Sequence, residues 1–165
     1  MTAIDIRDAS SPDVEAVARL WYEGWHDAHG GLFEADFVAA RTVEHFRQRT
    51  ERPFDRVLVA CDGERIAGFA ALAGREVDQL YVDRAVRGGG VGTRLLAAGE
   101  AVLRSAGVEV VLIQCLVGNE PAAAFYRRRG YRDAGIADLP LWAAPGEGER
   151  LHPTHRFEKV LAATK

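Results

Sequence analysis

Residues 3–7, AIDIR, alternate apolar and polar positions, the period of a half-buried strand. Ser11-Pro12-Asp13 then has the composition of a helix start: a hydroxyl cap, a proline in the first turn and an early acid. Val14, Val17, Ala18, Trp21 and Trp25 follow at helical spacing, and Gly30-Gly31 closes that helix. A second helical stretch is expected over 34–49, limited by Pro53. In RVLVACDGERIAGFAAL two apolar runs flank Asp62-Gly63, which predicts a hairpin whose two turn positions both take positive φ. A third strand, EVDQLYV (76–82), leads into a glycine loop and a helix with Leu95, Leu96, Val102 and Leu103 on one face, stopped at Gly107. The nearly all-apolar run 108–117 reads as a central strand covered on both faces. Asn119-Glu120-Pro121 opens another helix, Gly130 closes it, and two strands, 131–139 and 154–162, flank a Pro/Gly-rich loop at 140–153.

The predicted order is β-α-α-β-β-β-α-β-α-β-β. It describes an α+β fold, a mixed and mostly antiparallel sheet of about seven strands with helices on its faces. No composition shift marks a linker, so a single domain over 1–165 is expected.

Composition adds exclusions. Apolar residues make up 48% and charged residues 27% of the chain, the mix of a folded globular protein rather than a disordered one. A net charge of −3 argues against nucleic acid held by bulk charge, and no apolar run reaches the roughly 18 residues of a membrane helix. MTAIDIRDAS lacks the basic and apolar segments of a secretory signal. Cys61 and Cys115 sit in strand-like apolar runs and read as buried free thiols, so a cytoplasmic protein is expected.

The segment RAVRGGGVGTRLL (84–96) carries the chemistry. Four glycines occupy five positions between a strand and a helix, an arrangement suited to phosphate: amides converge, no side chains crowd the anion, and the helix N-terminus favours negative charge. A P-loop is excluded, because no lysine precedes Lys159. A dinucleotide fingerprint started at Gly88 or Gly90 meets Thr93 or Leu95 where its last glycine should fall. The loop does fit Arg/Gln-x-x-Gly-x-Gly/Ala, as Arg87-Gly88-Gly89-Gly90-Val91-Gly92. About thirty residues on, Asn119, Phe125, Tyr126, Gly130 and Tyr131 fit Asn…Phe-Tyr-x-x-x-Gly-Phe/Tyr. With both motifs and the element order, the chain resembles the GCN5-related N-acetyltransferase (GNAT) superfamily over nearly its whole length.

The resemblance implies acetyl-CoA as acyl donor and an amine acceptor attacking it directly. It places the pyrophosphate on the amides of Gly88, Gly89, Gly90, Val91 and Gly92, with Thr93 at the helix start and Arg87 nearby. It implies that the backbone of Leu80, Tyr81 and Val82 pairs with the pantetheine arm, in a slot opened by a splay between this strand and the 108–117 strand. An outgoing amide of the strand would meet the charge developing on the carbonyl oxygen. Tyr126 is implied as general acid near the sulfur, its phenol of pKa ~10 staying protonated at neutral pH; packing between helix and sheet is its alternative role. Asn119 is implied at the pantetheine amide, and also serves as a helix cap. Glu76 matches the glutamate base of histone-acetylating members, with Asp78 on the same face by alternation unless a bulge intervenes; both also fit as solvated strand-end acids.

The resemblance puts the acceptor pocket where the first two helices meet the last loop. Trp25, His26, His29, His152 and His155 are candidates there, with ordinary packing or surface positions as the alternative. His26 and His29 lack a third ligand at a defined spacing, so no metal site is expected. The four arginines of FYRRRGYR suit a solvated helix face or the CoA 3′-phosphate. The expected acceptor is a small molecule or amino-acid-like amine. A non-catalytic acyl-CoA-binding domain, or an enzyme acting on protein lysines or N-termini, are the alternatives, and a homodimer is left open.

Overall fold

The computed structural model describes residues 3–162. Its elements run β1 (Ile4–Asp8), α1 (Val14–His29), α2 (Ala35–Ala39), α3 (Val43–Thr50), β2 (Arg56–Asp62), β3 (Arg65–Ala73), β4 (Glu76–Val82), α4 (Val91–Ser105), β5 (Val110–Leu116), α5 (Glu120–Arg128), β6 (Arg132–Pro140) and β7 (Leu151–Val160). The seven strands form one sheet in the order β1-β2-β3-β4-β5-β7-β6. Every neighbouring pair is antiparallel except β4 and β5.

Strand alternation divides the core between two layers. Val59, Phe69 and Ala71 turn to one face, where the apolar stripe of α1 and Phe46 of α3 cover them. Trp21 is 1% exposed there, its ring 5.6 Å from Phe46 and 5.5 Å from Phe69. Truncating an aromatic so enclosed costs about 3–5 kcal/mol. Leu58, Ala60 and Ala70 turn to the opposite face and meet Val91 and Leu95 of α4. The α5 residues Ala123 and Tyr126 pack with Val111, Ile113 and Cys115 of β5.

Three boundaries depart from expectation. The 34–49 stretch is two helices, α2 and α3, because Thr42 accepts a hydrogen bond from the His45 amide and starts a new helix. The β2–β3 turn residues are Gly63 and Glu64, not Asp62 and Gly63; Asp62 pairs with Arg65, and only Gly63 takes positive φ (62°). A lone positive φ at the first turn position suits a type II′ hairpin, in which glycine is needed once. Strand β7 starts at Leu151, three residues early, because pairing with β6 runs on to Pro140↔Leu151 and carries Pro153 within it.

Two irregularities shape the site. Strands β5 and β7 pair at seven positions, Val110↔Val160 to Leu116↔Thr154. Strands β4 and β5 pair only at Glu76↔Leu112, so they diverge from Glu76 onward. On its other edge β4 pairs Leu72↔Val77 and Ala71↔Gln79, which leaves Asp78 as the extra residue of a bulge.

Candidate active site

The glycine loop is built for its backbone conformation. Gly88 (φ 83°) and Gly90 (φ 85°) both lie in the left-handed region, and a Cβ on either would meet nothing within 4 Å. Conformation, not crowding by protein, therefore calls for glycine there. Gly90 caps α4 without any side-chain hydrogen bond. The Gly89 amide, expected at the pyrophosphate, instead closes the turn before the loop by donating to the Val86 carbonyl (3.2 Å). The amides of Val91, Gly92 and Thr93 begin the helix without intrahelical partners, and those of Gly88 and Gly90 have no backbone acceptor among the described residues. These five donors and the α4 N-terminus border a groove of about 470 Å³, with Arg128 and Arg129 on its far wall. Arg87 also borders it, but its Nε donates to the Val82 carbonyl (3.1 Å) and its guanidinium lies 3.5 Å from Asp27. A pyrophosphate fits this concave, amide-lined surface.

Beyond the loop the groove reaches the divergence of β4 and β5. Leu80, Ala122 and Tyr126 border both the groove and a second cavity of about 190 Å³. That second cavity is bounded by Ile113 and Cys115, which face α5, and by Glu76, Gln79 and Tyr81 on the α1 side. A continuous cleft thus runs from the phosphate loop through the gap in the sheet.

The bulge puts Glu76 and Tyr81 on the same face of the sheet. Glu76 and Tyr81 are an odd number of residues apart, so regular alternation would turn them to opposite faces. The extra residue at Asp78 reverses the parity, and Glu76, Asp78, Gln79 and Tyr81 all line the cavity. Burial, and then the neighbouring Asp78 charge, raise the Glu76 carboxyl above its ordinary pKa. Burial likewise holds the Tyr126 phenol well above the usual tyrosine range, so it stays protonated. The Tyr126 ring is fixed by Phe157 and Tyr131, with centroids 5.8 and 6.0 Å away. The Tyr131 amide donates to the Tyr126 carbonyl (3.0 Å) where Gly130 ends α5.

Asn119 and His29 meet each other. Asn119 Oδ1 accepts from the Ala122 amide at the start of α5, and its Nδ2 lies 3.3 Å from His29 Nε2. An amide nitrogen only donates, so His29 Nε2 is the acceptor. Burial lowers His29 to a pKa of about 4 and keeps it neutral. Trp25 and His29 line the cavity. His26, His152 and His155 are placed elsewhere: His26 Nε2 lies 2.7 Å from the Arg41 carbonyl, His152 Nε2 lies 3.0 Å from the Val117 carbonyl, and His155 Nδ1 lies 2.8 Å from Asp133. Of the four clustered arginines, Arg127 and Arg132 face Asp133 and Glu158, leaving Arg128 and Arg129 for the groove. Among the described residues no group of three or more His, Cys, Asp or Glu could hold a metal ion.

The family model described as Acetyltransferase (GNAT) family matches residues 15–131, well over half of the chain. The chain belongs to the GNAT acetyltransferase family. Its α+β sheet is the fold of that family. Among curated relatives, the mycothiol acetyltransferase of Saccharomonospora viridis is 32% identical over 127 residues, which is 75% of this chain and 37% of that protein. The IAA acetyltransferase of Azospirillum brasilense is 33% identical over 94 residues, 53% of this chain and 61% of that one. The matches thus cover well under half the length of the mycothiol enzyme. Two solved structures share the fold. A GCN5-related N-acetyltransferase from Rhodopseudomonas palustris superposes at TM-score 0.76 with 22% identity, covering 98% of each chain. The PaiA N-acetyltransferase of Thermoplasma acidophilum, solved with coenzyme A, superposes at 0.69 with 17% identity, covering 97% of this chain and all of that one.

Three cavity residues of this GNAT domain escape a reading of the sequence: Arg41, Arg49 and Trp142. Arg41 is 2% exposed and donates to the carbonyls of Phe37 (3.2 Å) and Trp142 (2.5 Å) and to Glu147 (2.6 Å), which ties the loop after β6 onto α2. A periodic signal does exist for Arg49: it follows Phe46 by three positions, on the buried stripe of α3.

Proposed function

We propose that this protein is a single acetyltransferase domain that moves an acetyl group from acetyl-CoA to the primary amine of a small molecule, by direct attack in a ternary complex. One observation carries the reading: the gap opening at Glu76↔Leu112 joins an amide-lined phosphate groove to a cavity lined by two carboxylates, with Tyr126 bordering both.

When bound, acetyl-CoA supplies an activated acetyl thioester. The amides of Gly88 and of Gly90 to Thr93 hold its pyrophosphate, and the unpaired edge of Leu80, Tyr81 and Val82 fixes the pantetheine arm, which orients the carbonyl before reaction. Asn119 contributes a polar contact to that arm from the start of α5. Glu76 accepts a proton from the incoming ammonium, directly or through a water, and so frees the amine to attack; its raised pKa makes it a stronger base than an exposed carboxylate. Asp78 lies beside it and keeps the positive charge of an incoming amine favourable. Tyr126 donates its hydroxyl proton to the departing sulfur. Trp25 and His29 wall the acceptor end.

The names of the curated relatives, for mycothiol and IAA, favour a small-molecule acceptor over a protein. Release of free CoA thiol, followed spectroscopically against a panel of small primary amines, tests the reading. We expect amine-dependent release; release no faster than acetyl-CoA hydrolysis for every amine contradicts it.

A further inference from the structure

The cavity contains a guanidinium with nothing to hold. Arg49 extends from the last turn of α3 into the cavity, and its Nε is buried without a hydrogen-bond partner. No carboxylate reaches it in an ion pair, and no carbonyl accepts from it, among the described residues. Its charge is desolvated enough to lower its pKa to about 10, burial outweighing the nearby Tyr81 and Asp78. Three rings frame it: Trp21 at 4.5 Å, Trp142 at 5.3 Å and Phe46 at 5.6 Å from the guanidinium carbon. These faces offset part of the desolvation and hold the fork in one orientation, but give its N–H groups no acceptor.

The other charged groups of the cavity are accounted for. Arg41 is paired with Glu147 and donates to two backbone carbonyls. His29 is neutral. Glu76 and Asp78 stand on β4, across from α3. The cavity therefore holds two acids on β4 and a single unpaired cation on α3.

We propose that Arg49 binds a carboxylate of the acceptor, so that the acceptor class is an amino acid or similar amine carrying an acid. This rests on the proposed acetyl transfer and adds which amines qualify. A carboxylate supplies the planar pair of acceptors that a guanidinium lacks here. A doubly charged phosphate suits the site less, since Glu76 and Asp78 share the same small, poorly hydrated space. With its carboxylate on Arg49, the acceptor's ammonium group points to the acids at the start of the gap, where the acetyl group is to be delivered.

Amino acids tested against the amines they give on decarboxylation decide it: leucine against isoamylamine, phenylalanine against phenethylamine, alanine against ethylamine. We expect wild-type kcat/KM to favour the acid-bearing partner by about 10- to 100-fold, carried in KM, as for a charge-assisted contact. Arg49→Met removes that preference, and Arg49→Lys restores part of it. Calorimetric titration with isocaproate and its uncharged analogue isohexanol, on the CoA-bound protein, reads the same subsite without catalysis. Only isocaproate should bind the wild type, and Arg49→Met should weaken it similarly. Equal use of both partners by the wild type overturns the proposal and leaves acetyl transfer standing, as does a preference unchanged in a folded Arg49→Met. If no amine is acetylated yet isocaproate binds through Arg49, the subsite stands and the acetyl-transfer reading falls. If isocaproate binds no better than isohexanol, the subsite falls whatever the turnover.

Discussion

The two ends of the cleft are made from different materials. The phosphate end uses five backbone amides from one short segment, those of Gly88 and of Gly90 to Thr93, held by two glycines of positive φ and a helix N-terminus. The acceptor end uses side chains from α1, α2, α3, β4, β5 and the loop after β6. A diphosphate presents the same oxygens whatever acyl group accompanies it, so a contiguous backbone motif suffices. An acceptor is distinguished only by side chains, and those must converge from distant positions. The phosphate end is thus readable from a short segment, while the acceptor end depends on the assembled fold.

The largest expected effect strikes the backbone end. Acetyl-CoA at about a thousand times its dissociation constant should stabilise the wild type by roughly 4 kcal/mol. Gly90→Glu should lose that stabilisation entirely, because the new carboxylate projects into the phosphate space. It should also lower intrinsic stability by about 1–2 kcal/mol for a side chain at φ 85°. Thermal melts with and without ligand read both quantities; a folded variant with the wild-type shift would move the pyrophosphate off this loop.

Tyr126 belongs to both ends, and its hydroxyl can be removed without touching its packing. Tyr126→Phe should lower kcat and kcat/KM together by about a hundredfold, the low end for a general acid, with the acetyl-CoA dissociation constant nearly unchanged. Turnover like the wild type would confine Tyr126 to packing against Phe157 and Tyr131.

A smaller kinetic effect is expected at Glu76. Glu76→Gln should lower kcat about tenfold, less than a lone base would lose, because Asp78 remains beside it. In the wild type the rate should rise with pH through the raised Glu76 pKa, and the variant should lose that limb. Stability moves the other way. The folded state binds the Glu76 proton more tightly than the unfolded chain, so this residue's contribution weakens as pH climbs from the ordinary glutamate value to the raised one. Glu76→Gln should therefore be more stable relative to wild type at neutral pH than in acid, which melts across pH will check. An unchanged kcat–pH profile would remove Glu76 as base.

The smallest effect is structural. Asn119→Ala deletes a cap and the partner of His29 Nε2. It should cost about 1 kcal/mol, or about 2–4 °C in Tm. A calorimetric loss several times larger would mean that the His29 contact, not the cap, dominates.

The same contrast explains how much of the molecule the sequence discloses. Helices α1, α4 and α5, the order of elements along the chain and the motifs at 87–92 and 119–131 rest on local periodicity and spacing, and the structure contains them. The break at Ala40–Thr42 escapes because one threonine cap outweighs a helical pattern that continues past it. The Asp78 bulge escapes because an extra residue leaves alternation intact on either side and shows only in the partner strand's register. His26 and His29 lie on one helix, yet only His29 faces the cavity; the other meets the carbonyl of Arg41, fifteen residues on, in the break between α2 and α3. Arg49 shows only its three-residue spacing from Phe46. Its meaning comes from what surrounds it, and no local pattern records an absent partner.

The most direct measurement is a crystal structure with CoA bound. The pyrophosphate oxygens should lie within hydrogen-bond distance of the amides of Gly88 and of Gly90 to Thr93, the pantetheine arm along Leu80–Val82 in the gap between β4 and β5, and the sulfur beside the Tyr126 hydroxyl. A pyrophosphate bound away from that loop, or strands β4 and β5 closed into a continuous ladder beyond Glu76, would contradict this arrangement.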